Sequence, residues 1–158
     1  MDIKKPNKLN MRLQRQQQEW LEKRQKKVEQ VIAAFSHAHM SNTKWRKAFL
    51  ILSAHTLGLT RCHWKFVADE RVFTTSFPRE ADLLEEHLAD GVFQPEFVYR
   101  EIEWIEIPAQ YQIEDNRLMS RPPNTTYQNV TGALEALNRI GHFPVELTET
   151  GLIIRGYS

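Results

Sequence analysis

Cys62 and His63 set the only thiol of the chain beside an imidazole, the two groups a cysteine nucleophile needs. Adjacent residues of a strand point to opposite faces, however, so this pair cannot form a thiolate–imidazole couple. His55, His87 or His142 would have to approach from elsewhere, and a buried strand cysteine is the simpler reading. His37 and His39 share a face if extended and diverge if helical. Spacing implies no third ligand, and a zinc site needs three or four, so no metal site is expected. Glu101, Glu103 and Glu106 fall in one predicted strand, with Glu101 and Glu103 on a common face, as paired metal-binding carboxylates would be. Magnesium nucleases of that pattern add a lysine two residues after an acid, and no lysine follows Lys65. The competing reading is a strand edge blunted by charge. There is no Gly-rich phosphate loop, no Gly-x-Ser-x-Gly and no His-Glu-x-x-His. No cofactor is expected. Enzymatic activity stays an open question, with a hydrolase cleft of His87, Glu101 and Glu103 against a loop at 108–126 as its best form.

Two other groups of residues suit binding. Lys4, Lys5, Lys8, Arg12, Arg15, Lys23, Arg24, Lys26 and Lys27 make the first 30 residues basic, with a net charge of +5 and Trp20 among them. Phosphate contact is driven by counterion release and asks only for such a patch, so nucleic acid or a ribosomal surface is one candidate partner. Glu19–Lys23 and Glu22–Lys26 are equally good i,i+4 pairs on a merely solvated helix. Residues 80–115 are the opposite: eleven acids against Arg100 alone, interleaved with Phe93, Phe97, Tyr99, Trp104 and Tyr111. A one-signed field speeds encounter and rings supply anchors, so Phe93, Phe97, Tyr99, Glu101, Glu103, Trp104, Glu106 and Tyr111 are candidate contacts for a basic protein partner. The same residues are also consistent with a core whose acids are solvated, or with pairing to the chain's own basic segment.

The whole-chain balance conceals this division. Of 158 residues, 41% are hydrophobic, and 21 Lys+Arg meet 20 Asp+Glu. Residues 1–66 carry +10 and residues 67–158 carry −9. Such a composition is not that of a disordered chain. No wholly apolar run is longer than the five residues of Ala48–Leu52, far short of the roughly 20 residues a membrane helix needs. One cysteine excludes an intrachain disulfide framework. The basic N-terminus has no apolar stretch behind it, so no secretory signal is expected and the location is taken as cytoplasmic.

Elements must hold these groups in place. Leu21, Val28 and Phe35 recur every seven residues with Ile32 between, a thin apolar stripe on a polar helix from about 9 to 35. Ser41, Asn42 and Thr43 can cap a second helix through Trp45, Ala48, Phe49 and Leu52, with Gly58 as its stop. Strands follow at 62–66 and 71–77, then a short helix from Pro78 with Leu84 and Leu88 inward, then a long strand over 97–107. Residues 108–126, without periodicity, read as a long loop. Asn124–Thr126 cap a last helix through Tyr127, Val130, Leu134 and Leu137, and strands at 143–147 and 152–157 close the chain. The order predicts an α+β fold: a mostly antiparallel sheet of about five strands with helices packed on one face, preceded by a long N-terminal helix. Residues 1–39 form a basic helical extension and 40–158 a single domain.

Several stretches resemble a family of small bacterial proteins of unknown function: Met40-Ser41-Asn42-Thr43-Lys44-Trp45, Leu84-Glu85-Glu86-His87-Leu88-Ala89-Asp90-Gly91, the strand Arg100–Pro108, Phe143-Pro144, Gly151-Leu152 and Gly156-Tyr157. The resemblance covers about 40–158, places a boundary at Met40, and implies no activity, ligand or catalytic residue. The expectation is a binding module of the antitoxin or immunity kind, a fold-level analogy, with the basic helix as the alternative site.

Overall fold

A computed structural model describes residues 7–89, 98–113 and 124–158. Helix α1 runs Lys8–Ala34, with the Asn7 side chain accepting the Leu9 N–H. Helix α2, Asn42–Leu52, is capped by Ser41, whose hydroxyl accepts from Lys44. Its apolar stripe of Trp45, Ala48, Phe49 and Leu52 is buried as the i, i+3, i+4, i+7 spacing requires. The chain then turns through Gly58, the one glycine at positive φ (60°) among the described residues.

Strands β1 (Arg61–Phe66), β2 (Val72–Ser76), β3 (Ile102–Pro108), β6 (Val145–Leu147) and β7 (Gly151–Arg155) form one antiparallel sheet in the order β2-β1-β3-β7-β6. Register sorts its faces. Cys62, Trp64, Ile105, Ile107, Leu152 and Ile154 point into the core, against α2 and α3 (Val130–Ile140). Thr74, His63, Glu106, Ile153 and Glu146 form a row across the opposite face, with Val72, Lys65, Trp104 and Arg155 beside it. The architecture is thus α+β, with a long helix preceding a five-stranded antiparallel sheet.

Four local expectations are corrected. The helix foreseen from Pro78 is one 3-10 turn, Glu80–Asp82. The chain then reverses, Leu83 bridges Leu88, and these two are buried while Leu84 is 41% exposed. The long strand begins only at Ile102, because Tyr99–Glu101 forms a 3-10 turn closed by the Glu101 N–H on the Val98 carbonyl. Part of the expected loop is a hairpin: β4 (Gln110–Ile113) pairs with β5 (Asn124–Tyr127), whose exposed polar residues leave no hydrophobic alternation to read. The last helix is capped by Asn129, not by 124–126, and Tyr127 is 76% exposed in β5. Buried Gln128 explains the delay. Its amide accepts from the Thr60 and Arg61 N–H groups and donates to the Pro108 carbonyl, so it is spent on tying β5 to β1 and β3.

Candidate functional site

The basic helix and the acidic segment meet at one end of the sheet. There β1 stops at Phe66, β3 begins at Ile102 and β7 ends at Arg155. Val28 is 1% exposed and packs with Val67 and Tyr157, joined by Val31, Ile32 and Phe35. The Phe35 and Tyr157 rings stack at 5.3 Å. The seven-residue spacing of Val28 and Phe35 is the sequence signal for this contact. Polar contacts flank it. Arg24 donates to Glu101 at 2.5 Å, and Arg100 grips Glu29 through both its terminal nitrogens. The Tyr157 hydroxyl donates to the Arg100 carbonyl at 2.7 Å. The connector is also paired to the C-terminus: His37 and Ser158 exchange backbone hydrogen bonds of 2.9 and 3.0 Å, and the His39 N–H donates to the Gly156 carbonyl.

Electrostatics follow from this packing. Burial pushes the Glu101 carboxyl above its usual range, while the Arg24 guanidinium draws it back down. Glu29, exposed, is held low by its bond to Arg100. Burial also raises the hydroxyls of Tyr99, to about 12, and of Tyr157.

The acidic and aromatic candidates are dispersed. Tyr99 is buried, and its hydroxyl donates to the Leu84 carbonyl at 2.9 Å. Glu101 is buried on Arg24, and Glu103 pairs with Lys65 at 2.8 Å. Trp104 and Glu106 share the sheet face opposite the helices, where Glu106 accepts from Thr150. Tyr111 lies apart in β4, bonded to Thr60 at 2.5 Å and covered by the Arg61 guanidinium at 4.0 Å. Phe93 and Phe97 lie outside the described residues. Of the basic candidates, Lys4 and Lys5 also lie outside them. Lys8, Arg12, Arg15, Lys23, Lys26 and Lys27 are exposed, and none pairs with an acid among the described residues. The Glu19–Lys23 and Glu22–Lys26 pairs do not close to ion-pair distance. Trp20, 52% exposed, lies 6.0 Å from the Arg24 guanidinium.

The catalytic candidates stay separate. Cys62 is fully buried, and burial, with Glu106 adding to it, raises its thiol well above the usual range. His63 faces away and shares a 2.8 Å hydrogen bond with Thr74. Burial lowers the His63 imidazole, against the pull of Glu106. His37 and His39 are extended with rings 6.0 Å apart, and His39 bonds Ser158. No group of three or more His, Cys, Asp or Glu residues suited to a metal occurs among the described residues. No helix among them is long and apolar enough to cross a membrane. Sequence reasoning missed Glu29 and Arg100 as partners, since 71 residues separate them and no pattern links the two.

No curated protein and no solved structure matches the chain. Residues 28–158 match a family described as one of unknown function, DUF6678, and the match begins at Val28, the residue of α1 buried deepest against the body. Spanning most of the sequence, that match shows that the chain belongs to the DUF6678 family.

Proposed function

We propose that the protein is a binding protein that engages nucleic-acid phosphates through residues 8–27 of α1. One observation carries this reading: among the described residues the helix is anchored from Arg24 onward, and its outer basic residues form no ion pair with an acid. Lys8, Arg12 and Arg15 recur at i, i+4 and i+7 and so lie on one face, as contact with a phosphate backbone requires. Capture of a basic protein by the acidic segment draws less support, because Glu101 and Glu103 already hold internal cations and the Tyr99 ring is buried.

The test is fluorescence anisotropy of the full chain with single-stranded RNA and duplex DNA across a salt series. Three phosphate contacts predict a log–log salt slope of roughly −2 to −3. Charge reversal of Lys8, Arg12 and Arg15 to glutamate should abolish binding. A flat salt response, or affinity unchanged in that variant, would sink the proposal, as would capture of a basic protein that reversing Glu106 abolishes.

A further inference from the structure

The two edges of the sheet are finished differently. β6 is three residues long, follows Pro144 and carries Glu146. Short length, proline and charge are the usual devices that stop an edge from pairing with another chain. β2, at the other edge, has five residues, Val72-Phe73-Thr74-Thr75-Ser76, without a charge or a proline. Ladder parity sorts its backbone groups. The Phe77 N–H donates to the Thr60 carbonyl at 3.0 Å, and Thr75 and Phe73 stand opposite Cys62 and Trp64. Bonded pairs alternate along an antiparallel ladder, so Phe73 and Thr75 bond to β1, while Val72, Thr74 and Ser76 turn their N–H and C=O groups outward. Among the described residues only the Ser76 carbonyl has a partner there, the Thr75 hydroxyl at 2.9 Å. Side chains hold the strand in this pose. The Trp64 indole N–H donates to the Thr75 hydroxyl at 2.8 Å, His63 bonds Thr74, and the Phe73 ring lies 5.8 Å from that of Phe66.

The same strand of a second copy fits this edge. A two-fold axis through Thr74 sets β2 antiparallel to the partner's β2, with Thr74 facing the partner's Thr74 and Val72 facing the partner's Ser76. Each outward N–H then meets an outward carbonyl. No like charges oppose one another along the strand, and a threonine pair is a favourable cross-strand neighbour. Just beyond the strand ends, exposed Glu70 of one copy comes alongside exposed Arg79 of the other, once at each end. An extended peptide from another protein would find the same hydrogen bonds but not this reciprocal charge pairing.

We propose that the protein self-associates through β2 into a two-fold dimer whose sheet runs continuously across both copies. The contact is small, so association belongs in the micromolar range. It is independent of nucleic-acid binding by α1. Sedimentation equilibrium of the full chain across micromolar concentrations should show monomer and dimer in exchange. Thr74→Pro removes an outward N–H that β1 does not use, and should weaken dimerisation tenfold or more with the circular dichroism unchanged. Glu70→Arg should weaken it too, and adding Arg79→Glu should restore it, which a folding defect would not do. Disulfide trapping reads the register, since the native Cys62 is buried. Thr74→Cys places two thiols on Cα atoms about 5.5 Å apart, within bridging distance, so mild oxidation should link two copies. Val72→Cys should not link, because its counterpart lies about 13 Å away along the strand. The proposal is overturned if the chain stays monomeric throughout, if a dimer survives Thr74→Pro, if the charge swap fails to restore association, or if Val72→Cys links as readily as Thr74→Cys.

Discussion

Glu101 is the residue whose surroundings impose most on its neighbours. A buried carboxylate needs a cation, and Arg24, reaching from 77 residues earlier in the chain, supplies it. Arg24→Met leaves the carboxylate buried and unpaired, a loss of about 1–3 kcal/mol at neutral pH. The cost depends on pH in a fixed direction. Burial already raises this carboxyl, and removing the guanidinium raises it further. Between the ordinary carboxylate range and the raised value the folded chain binds the proton more tightly than the unfolded chain, so stability rises as pH falls through that window. Urea unfolding of Arg24→Met should therefore show a deficit at pH 7 that shrinks near pH 4. A deficit equal at both values would mean that the pair contributes packing alone. Cys62 makes a second prediction at this scale. Its thiol is buried and pushed up by burial, so an alkylating reagent should modify it only at the rate at which the chain unfolds. Rapid labelling of the folded protein would contradict the strand register that turns it inward.

Among elements, the β3–β7 pair sets the strictest condition. Gly151 lies opposite Pro108, and a Cβ there would come within 2.2 Å of the Ile107 carbonyl oxygen. Backbone, not a mobile side chain, is the obstacle, so Gly151→Ala must part the strands at about 1–3 kcal/mol. A thermal melt reads this directly, and an unchanged midpoint would refute the close approach. Elements with a buried face were those legible beforehand: α2 from its four-residue stripe, β1 from Cys62, Trp64 and Phe66, and the docked turns of α1 from Val28 and Phe35. Those that misled share another trait. β4 and β5 are polar and exposed, so periodicity carries no signal there. Tyr127 looked like the start of an apolar stripe because its spacing to Val130 and Leu134 is helical, but the buried amide of Gln128 claims that stretch. The site fared similarly. Exposed Lys8, Arg12 and Arg15 follow from composition alone, whereas Arg24–Glu101 and Glu29–Arg100 are long-range pairs that no local pattern encodes.

At the scale of the whole molecule, a +10 front part and a −9 remainder are brought together by one long helix, and its two halves have different duties. The outer half, from Lys8 to Lys23, is exposed throughout. The inner half closes the end of the sheet, covering Val67 and Tyr157, neutralising Glu101 and leading into a connector hydrogen-bonded to Gly156 and Ser158. Two truncations separate these duties. Among the described residues, removing 1–22 deletes only exposed side chains, and stability should stay within about 0.5 kcal/mol of the full chain. Removing residues 1–39 uncovers the Val67–Tyr157 cluster, strands Glu101 without its cation and takes away three backbone hydrogen bonds to the C-terminus. That should cost about 3 kcal/mol or more, a fall in melting temperature of roughly 6–12 °C for a chain of this size. Nucleic-acid binding should disappear in both, because both lack Lys8, Arg12 and Arg15. Equal stability of the two truncations would show that the helix is an appendage along its whole length. A stable, non-binding 23–158 beside a weakened 40–158 would show that the molecule ends structurally in the inner turns of α1, where the family match also begins.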